Sequence, residues 1–258
     1  MIHIIALRLL GLSLALPARA GAWLRDDGAV FLSFESDVRM SDDTRVPLGR
    51  DPRLYMEWGV GPRTTLALAV NAGPETAGRI FEARVIRPLP LPEGWGVAAA
   101  SGGLARRTFD SIQYDAAGAE TDQVDRLASV GLAWGQGSDA GWITAEGRLL
   151  SDLAEDDIEA KLDLTGGYHM TPAWSAMLQF HSGLGHAGDP YARVRPSVIH
   201  RVSDRLRLNA GASHTLTGDR GTGLFFRNLA RVLKPSQRST CTAHCALRTT
   251  RAAVEPRK

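Results

Sequence analysis

Ile158-Glu159-Ala160-Lys161-Leu162-Asp163-Leu164-Thr165-Gly166-Gly167-Tyr168 is the stretch that decides the fold. Ile158, Ala160, Leu162, Leu164 and Tyr168 alternate with Glu159, Lys161, Asp163 and Thr165. Successive side chains of a strand point to opposite faces, so this is a strand with one apolar and one charged face. Two settings suit it. A soluble sandwich would turn the apolar face inward. A membrane barrel would turn it toward lipid and leave the charges in a wet interior.

Working outward, the same period of two recurs from residue 28 to about 233. It predicts twelve strands near 28–39, 52–60, 64–71, 79–88, 94–106, 125–135, 141–150, 157–169, 173–182, 190–201, 205–216 and 223–233. Their connections alternate in length. Short turns fall at Gly61-Pro62-Arg63, Leu89 to Gly94, Gly135 to Gly141, Met170-Thr171-Pro172 and Val202-Ser203-Asp204. Longer links, such as Arg107 to Asp125, lie between them. Trp58, Trp95, Trp134, Trp142, Tyr168 and Trp174 all sit within a few residues of the short turns. A transmembrane barrel explains this, because its short turns share one side of the membrane and aromatic side chains form a girdle at each interface. Core tryptophans at the strand ends of a sandwich are the competing explanation. The expected fold is all-β: a single antiparallel up-and-down transmembrane β-barrel of about twelve strands.

Composition narrows the function. The chain has 258 residues and only two cysteines, which excludes a disulfide scaffold. No apolar run after Ala20 reaches the eighteen residues that a membrane-spanning helix needs. Residues 1–20 read as a secretory leader: Arg8, the apolar Leu9–Leu16, then Pro17 and the small-x-small triplet Ala18-Arg19-Ala20. The formal net charge of +2 averages two unlike regions. Residues 227–258 hold eight basic groups against Glu255 alone, a net of +7, while the rest of the chain is acidic. The domain expectation is therefore a leader at 1–20, a barrel at 21–226 with its last strand extending to 233 on a wider reading, and a basic tail at 227–258. That tail contains Cys241 and Cys245. It reads as disordered or as a frame-shifted end, with a basic periplasmic extension or a metal or disulfide pair as rival readings.

Taking the polar faces as inward yields a lumen set: Glu57, Glu82, Arg84, Glu146, Arg148, Glu159, Lys161, Asp163, Arg193, Arg195 and Arg207, joined by Glu35. Six acids stand against six bases, a balance that either lines a small pore or closes it. A hairpin register guessed from the turns places Asp163, Gln179 and Arg193 on one row. His181-Ser182 and Ser213-His214 attract notice as hydrolytic groups, but strand neighbours face opposite ways, so neither pair forms a dyad. No catalytic residue, metal ligand set or cofactor is expected, and no nucleic-acid partner. The expected partners are outer-membrane lipid and lipopolysaccharide, the barrel-assembly machinery and an unidentified small solute.

Glu57-Trp58-Gly59-Val60-Gly61-Pro62-Arg63-Thr64-Thr65-Leu66 and Leu216-Thr217-Gly218-Asp219-Arg220-Gly221-Thr222-Gly223, with the Ala18-Arg19-Ala20 junction, resemble uncharacterised outer-membrane β-barrels of Gram-negative bacteria. Those barrels are loosely similar to the transporter-like family linked to the phenol-degradation meta-pathway. The resemblance covers about residues 21–226 and implies a barrel. It supplies no site residues. The expected function is a narrow channel or transporter for small solutes. A structural or interaction barrel with a charge-plugged lumen is the alternative, and an outer-membrane lipid-modifying enzyme the least favoured.

Overall fold

The computed structural model describes residues 22–40, 47–72, 79–114, 120–154, 157–185, 188–218 and 221–232. Twelve strands run in chain order: β1 (Val30–Met40), β2 (Pro47–Gly59), β3 (Thr65–Ala72), β4 (Arg79–Leu89), β5 (Val97–Tyr114), β6 (Glu120–Gly137), β7 (Gly141–Asp152), β8 (Ile158–His169), β9 (Trp174–Leu184), β10 (Pro190–Arg201), β11 (Leu206–Thr217) and β12 (Thr222–Val232). Each pairs antiparallel with its chain neighbours, and β1 closes on β12, so the sheet is a barrel without an edge. Closure matters in lipid, where an unpaired strand edge has no water to satisfy its amides.

The period-two pattern becomes two walls. Leu104, Leu132 and Phe226 are each about two-thirds exposed on the outer face, in an otherwise apolar exterior. Glu57, Asp37 and Arg195 are almost wholly buried on the inner face. An apolar exterior around a charged interior is the inverse of a soluble sandwich and is the arrangement of a membrane barrel.

The structure departs from the sequence reading in four places. The segment 107–125, expected as a long loop, is largely strand: β5 and β6 each run eighteen residues, with a register shift between Thr108 and Ile112. The residues added carry no clean apolar alternation in sequence, so the period of two could not reveal them, and backbone pairing of β5 with β6 extends out to Tyr114 and Glu120. The last strand ends at Val232, as the strand expected at 223–233 has it and not at the narrower boundary of 226, so Arg227 and Arg231, grouped by composition with the tail, are strand residues of the barrel. The row expected to join Asp163, Gln179 and Arg193 runs instead through Asp163, His181 and Arg193, and Gln179 pairs with Thr165 and Arg195. The turn after His169 sets this register, two residues from the expected one. Finally, residues 22–29, which show no periodicity, are not a strand. They fold across the short-turn end of the barrel ahead of β1. The expected leader and the remainder of the basic tail, with Cys241 and Cys245, lie outside the described residues.

Two glycines make room for this N-terminal segment. A Cβ at Gly59 would lie 2.1 Å from the carbonyl oxygen of Asp26, so only glycine lets the two backbones approach. A Cβ at Gly135 would lie 2.7 Å from the indole of Trp23. The segment is tied down by backbone hydrogen bonds, from the Gly28 amide to the carbonyl of Gly59 (2.8 Å) and from the Gly59 amide to the carbonyl of Ala29 (3.0 Å).

Candidate functional site: a braced lumen with a covered mouth

Every lumen residue read from the sequence lies on the inner face, and contacts group them. On one side, Glu82 and Arg84 of β4 meet Glu146 and Arg148 of β7. Arg84 Nη1 lies 2.9 Å from Glu146 Oε1, and Arg148 Nη1 lies 2.9 Å from Glu82 Oε2. The Ser129 hydroxyl donates to Glu82 Oε1 at 3.2 Å. Above them, Arg107 of β5 binds Glu159 of β8 at 2.5 Å and Asp125 at 3.4 Å, while Lys161 Nζ sits 3.3 Å from Glu159. The Arg84–Glu146, Arg148–Glu82 and Arg107–Glu159 pairs are chords: they join strands that are three apart around the ring, not neighbours.

A second group lies across the β1–β12 closure. Glu35, almost fully buried, accepts from Arg195 Nη2 at 2.7 Å and from Arg227, and Arg53 Nη1 stands 3.7 Å away. Asp37 lies 3.7 Å from the same Arg195 nitrogen, and Asp51 3.2 Å from Arg53. Three carboxylates thus face three guanidiniums. Phe225, wholly buried, places its ring 3.9 Å from the Arg195 guanidinium, which rests on the aromatic face. Charges taken out of bulk water are costly unless paired and hydrogen-bonded, so the balance is a condition for these groups to be inside at all.

The remaining predicted residues complete the inner surface. Asp163 Oδ1 lies 2.5 Å from His181 Nδ1. Arg193 is half-buried opposite His181 in the β9–β10 ladder. Glu57 accepts from Tyr55 Oη at 2.6 Å and from Arg25 of the N-terminal segment. Arg207 stands opposite Arg201 in the β10–β11 ladder. His181 faces inward, whereas Ser182 is cross-paired with the outward Leu162; Ser213 is buried inside while His214 is exposed. Neither His–Ser neighbour pair shares a face.

Sequence reasoning missed Arg25, Asp37, Asp51, Arg53, Tyr55, Arg107, Asp125 and Arg227 as members of these networks. Arg53 and Tyr55 were legible from parity with Glu57. Arg227 was hidden by Phe225-Phe226, which breaks the alternation: Phe226 is outward and Phe225 inward.

The aromatic set needs one correction. Trp58, Trp95, Tyr168 and Trp174 are exposed near the short turns. The Trp134 indole donates to the carbonyl of Trp95 at 2.8 Å. Trp142 is not part of an outer girdle. It is 7% exposed and turned inward, packed with Met177 and Ile199, with Trp23 against the same cluster. Its ring fills the space over Gly167, where a Cβ would come within 2.2 Å. In Trp142-Ile143 two apolar residues are adjacent, and the outward place belongs to Ile143.

Trp23, Leu24 and Arg25 therefore cover the short-turn mouth from inside. Leu24 packs on Ala67, Ile86 and Ala99. The Arg25 amide donates to Thr65 Oγ1 at 2.9 Å. Asp26 meets Arg231 at 3.3 Å. Beside this cover lies a cavity of about 340 Å³, lined by Phe31, Trp142, Met177 and Ile199 together with arginine and amide side chains.

No family model matches the chain, and no curated protein matches it. Solved structures do. The COG4313 outer membrane channel from Pseudomonas putida F1 superposes with a TM-score of 0.58 at 12% identity, covering 83% of this chain and 100% of that one. A KdgM porin in complex with disordered oligogalacturonate gives 0.52 at 8% identity, covering 78% and 98%. A NanC porin gives 0.52 at 10% identity, covering 78% and 100%. At these identities the likeness is one of fold: the chain has the twelve-stranded barrel architecture of outer-membrane porins and channels.

Proposed function

We propose that the protein is a narrow outer-membrane channel for small solutes, a reading in keeping with the transporter-like family that its turn phrases resemble. The observation that carries it is the cavity of about 340 Å³ inside a wall that is apolar outside and polar inside. A barrel whose interior served only for packing has no need of such a space. Selectivity would come from the paired charges, which set the width and field of the path. Arg195 and Glu35 narrow it from one side, and the Arg84–Glu146 and Arg107–Glu159 chords from the other. Residues 22–29 restrict the mouth between the short turns.

The same chords and the same N-terminal cover favour a second reading, a structural barrel that does not conduct. Planar-bilayer recordings separate the two. The channel reading expects resolved single-channel events from the wild-type protein. It expects larger ones from a Trp23→Ala/Arg25→Ala variant, whose cover loses its ring and its bond to Glu57. A silent wild type together with a silent variant refutes the channel and leaves the structural barrel.

A further inference from the structure

We propose that Arg106 and Arg126 form a binding site for a phosphomonoester of lipopolysaccharide, on the outer wall where the apolar belt meets the outer leaflet. The site is independent of the lumen and stands whether or not the barrel conducts. Three observations converge. The first is charge placement. Arg106 and Arg126 stand directly opposite each other in the β5–β6 ladder, and both are exposed. Ala105 and Leu127 beside them are buried in one inward cluster, so the two arginines belong to the outer face. Neither guanidinium has a hydrogen bond or an ion pair among the described residues. The outward positions of β4, of β5 up to Thr108, of β6 from Val124 and of β7 carry no carboxylate. Like charges directly opposite in a ladder repel. A dianion between them offsets that repulsion, and the fork of each guanidinium matches two phosphate oxygens.

The second observation is depth. Trp134, bonded to the carbonyl of Trp95, marks the short-turn edge of the apolar belt and stands opposite Ala98 in the ladder. From Ala98 to Arg106 the strand rises about 27 Å at about 3.4 Å per residue. At a tilt of about 40° this is about 21 Å along the membrane normal, and the apolar band of such barrels is about 25 Å tall. The arginine pair therefore lies at the far edge of the band, where a charge on the lipid face is tolerated. That edge is the one of the longer loops, which in outer-membrane barrels face the exterior. The lipid there is lipopolysaccharide, whose glucosamine phosphates lie just above its acyl chains.

The third is what surrounds the pair. Phe81, the ladder partner of Arg106, is exposed, as are Leu104 and Val130 on the belt side of the two arginines. Acyl chains lying on these side chains bring a phosphate to the level of the guanidiniums. Beyond the pair, β5 and β6 remain paired out to Tyr114 and Glu120, so the arginines sit on a hydrogen-bonded wall and not at a loop tip. A phosphomonoester carries about −1.5 to −2 charge at neutral pH, which two guanidiniums match. The phosphodiester of an ordinary phospholipid carries a single charge and leaves one of them unmet.

The test is native mass spectrometry of the full-length protein in detergent, titrated with lipid A bearing both phosphates, with lipid A stripped of both, and with phosphatidylglycerol. The phosphorylated lipid A is expected to bind about tenfold more tightly than the other two. An Arg106→Gln/Arg126→Gln double variant is expected to weaken it about tenfold and to leave phosphatidylglycerol unchanged. Arg87→Gln, which alters an exposed arginine opposite Ala100 at the short-turn end of β4, is expected to bind lipid A as the wild type does. Equal binding of the stripped lipid overturns the phosphate. Equal binding of phosphatidylglycerol overturns the choice of a phosphomonoester. Unaltered lipid A affinity in a double variant that keeps the wild-type circular dichroism spectrum overturns the location, and so does an equal loss in Arg87→Gln. A wild-type dimer that the double variant abolishes assigns the pair to a second copy of the barrel and overturns the lipid site.

Discussion

Replacing Glu35 by glutamine tests whether charge balance is what permits the interior. The side chain is 3% exposed and serves Arg195 and Arg227, with Arg53 at 3.7 Å. Glutamine keeps the shape and one acceptor oxygen, but removes the charge and turns an NH2 group toward guanidinium. Asp37 and Asp51 then face Arg53, Arg195 and Arg227, two anions against three cations. Removing one partner of a buried ion pair typically costs about 3–5 kcal/mol, because the other is left desolvated. Water in the lumen screens part of this, so the lower end, about 3 kcal/mol, is the expectation. The assay is equilibrium unfolding of the vesicle-reconstituted protein in guanidinium chloride, followed by tryptophan fluorescence. A second substitution, Arg227→Gln, restores the balance. The Glu35→Gln/Arg227→Gln double variant is expected to be more stable than the sum of the two single losses predicts, by more than 1 kcal/mol. A single-variant loss below about 1 kcal/mol, the range of exposed pairs, refutes the reasoning. So does strict additivity.

Other expectations follow from the same walls. Leu132→Arg places a charge on the outer face, where Leu132 is 64% exposed, and near the membrane midplane should cost about 2–4 kcal/mol of unfolding free energy in lipid. Gly167→Ala drives a methyl into the Trp142 ring, 2.2 Å away, and should cost about 1–3 kcal/mol in the same unfolding measurement, with most of the loss recovered in a Gly167→Ala/Trp142→Ala chain. Gly59→Ala meets the Asp26 carbonyl at 2.1 Å and should displace the N-terminal segment without opening the barrel. Trypsin should then cut after Arg25 several times faster, while the pairing of β2 with β1 and β3 remains protected from hydrogen exchange.

How far the sequence reaches is visible in particular residues. Ile158 to Tyr168 expose both faces of a strand, and a strand with alternating faces needs no tertiary information to be read. The inner set from Glu57 to Arg207 follows by parity for the same reason. Parity fails where two apolar residues are adjacent. Trp142-Ile143 and Phe225-Phe226 each offer two candidates for one outward place, and only packing against Gly167 or Arg195 decides. It also fails across strands: His181, not Gln179, meets Asp163, because one turn of the chain fixes the offset and local composition does not encode it. Residues 22–29 carry no period at all. Their place depends on Gly59 and Gly135, far away in sequence, lacking a side chain.

The closure between β1 and β12 carries one more consequence. Glu35 and Arg227 are partners across that seam and lie 192 residues apart, near the two ends of the barrel chain. The first charge to enter the ring is thus neutralised by one of the last to be made. A nascent chain cut short before Arg227 would hold Glu35 beside an open edge, with neither the ladder nor the guanidinium of β12 to receive it. The ring therefore cannot seal before β12 is in place, and an unsealed barrel keeps its acidic first strand at an open edge.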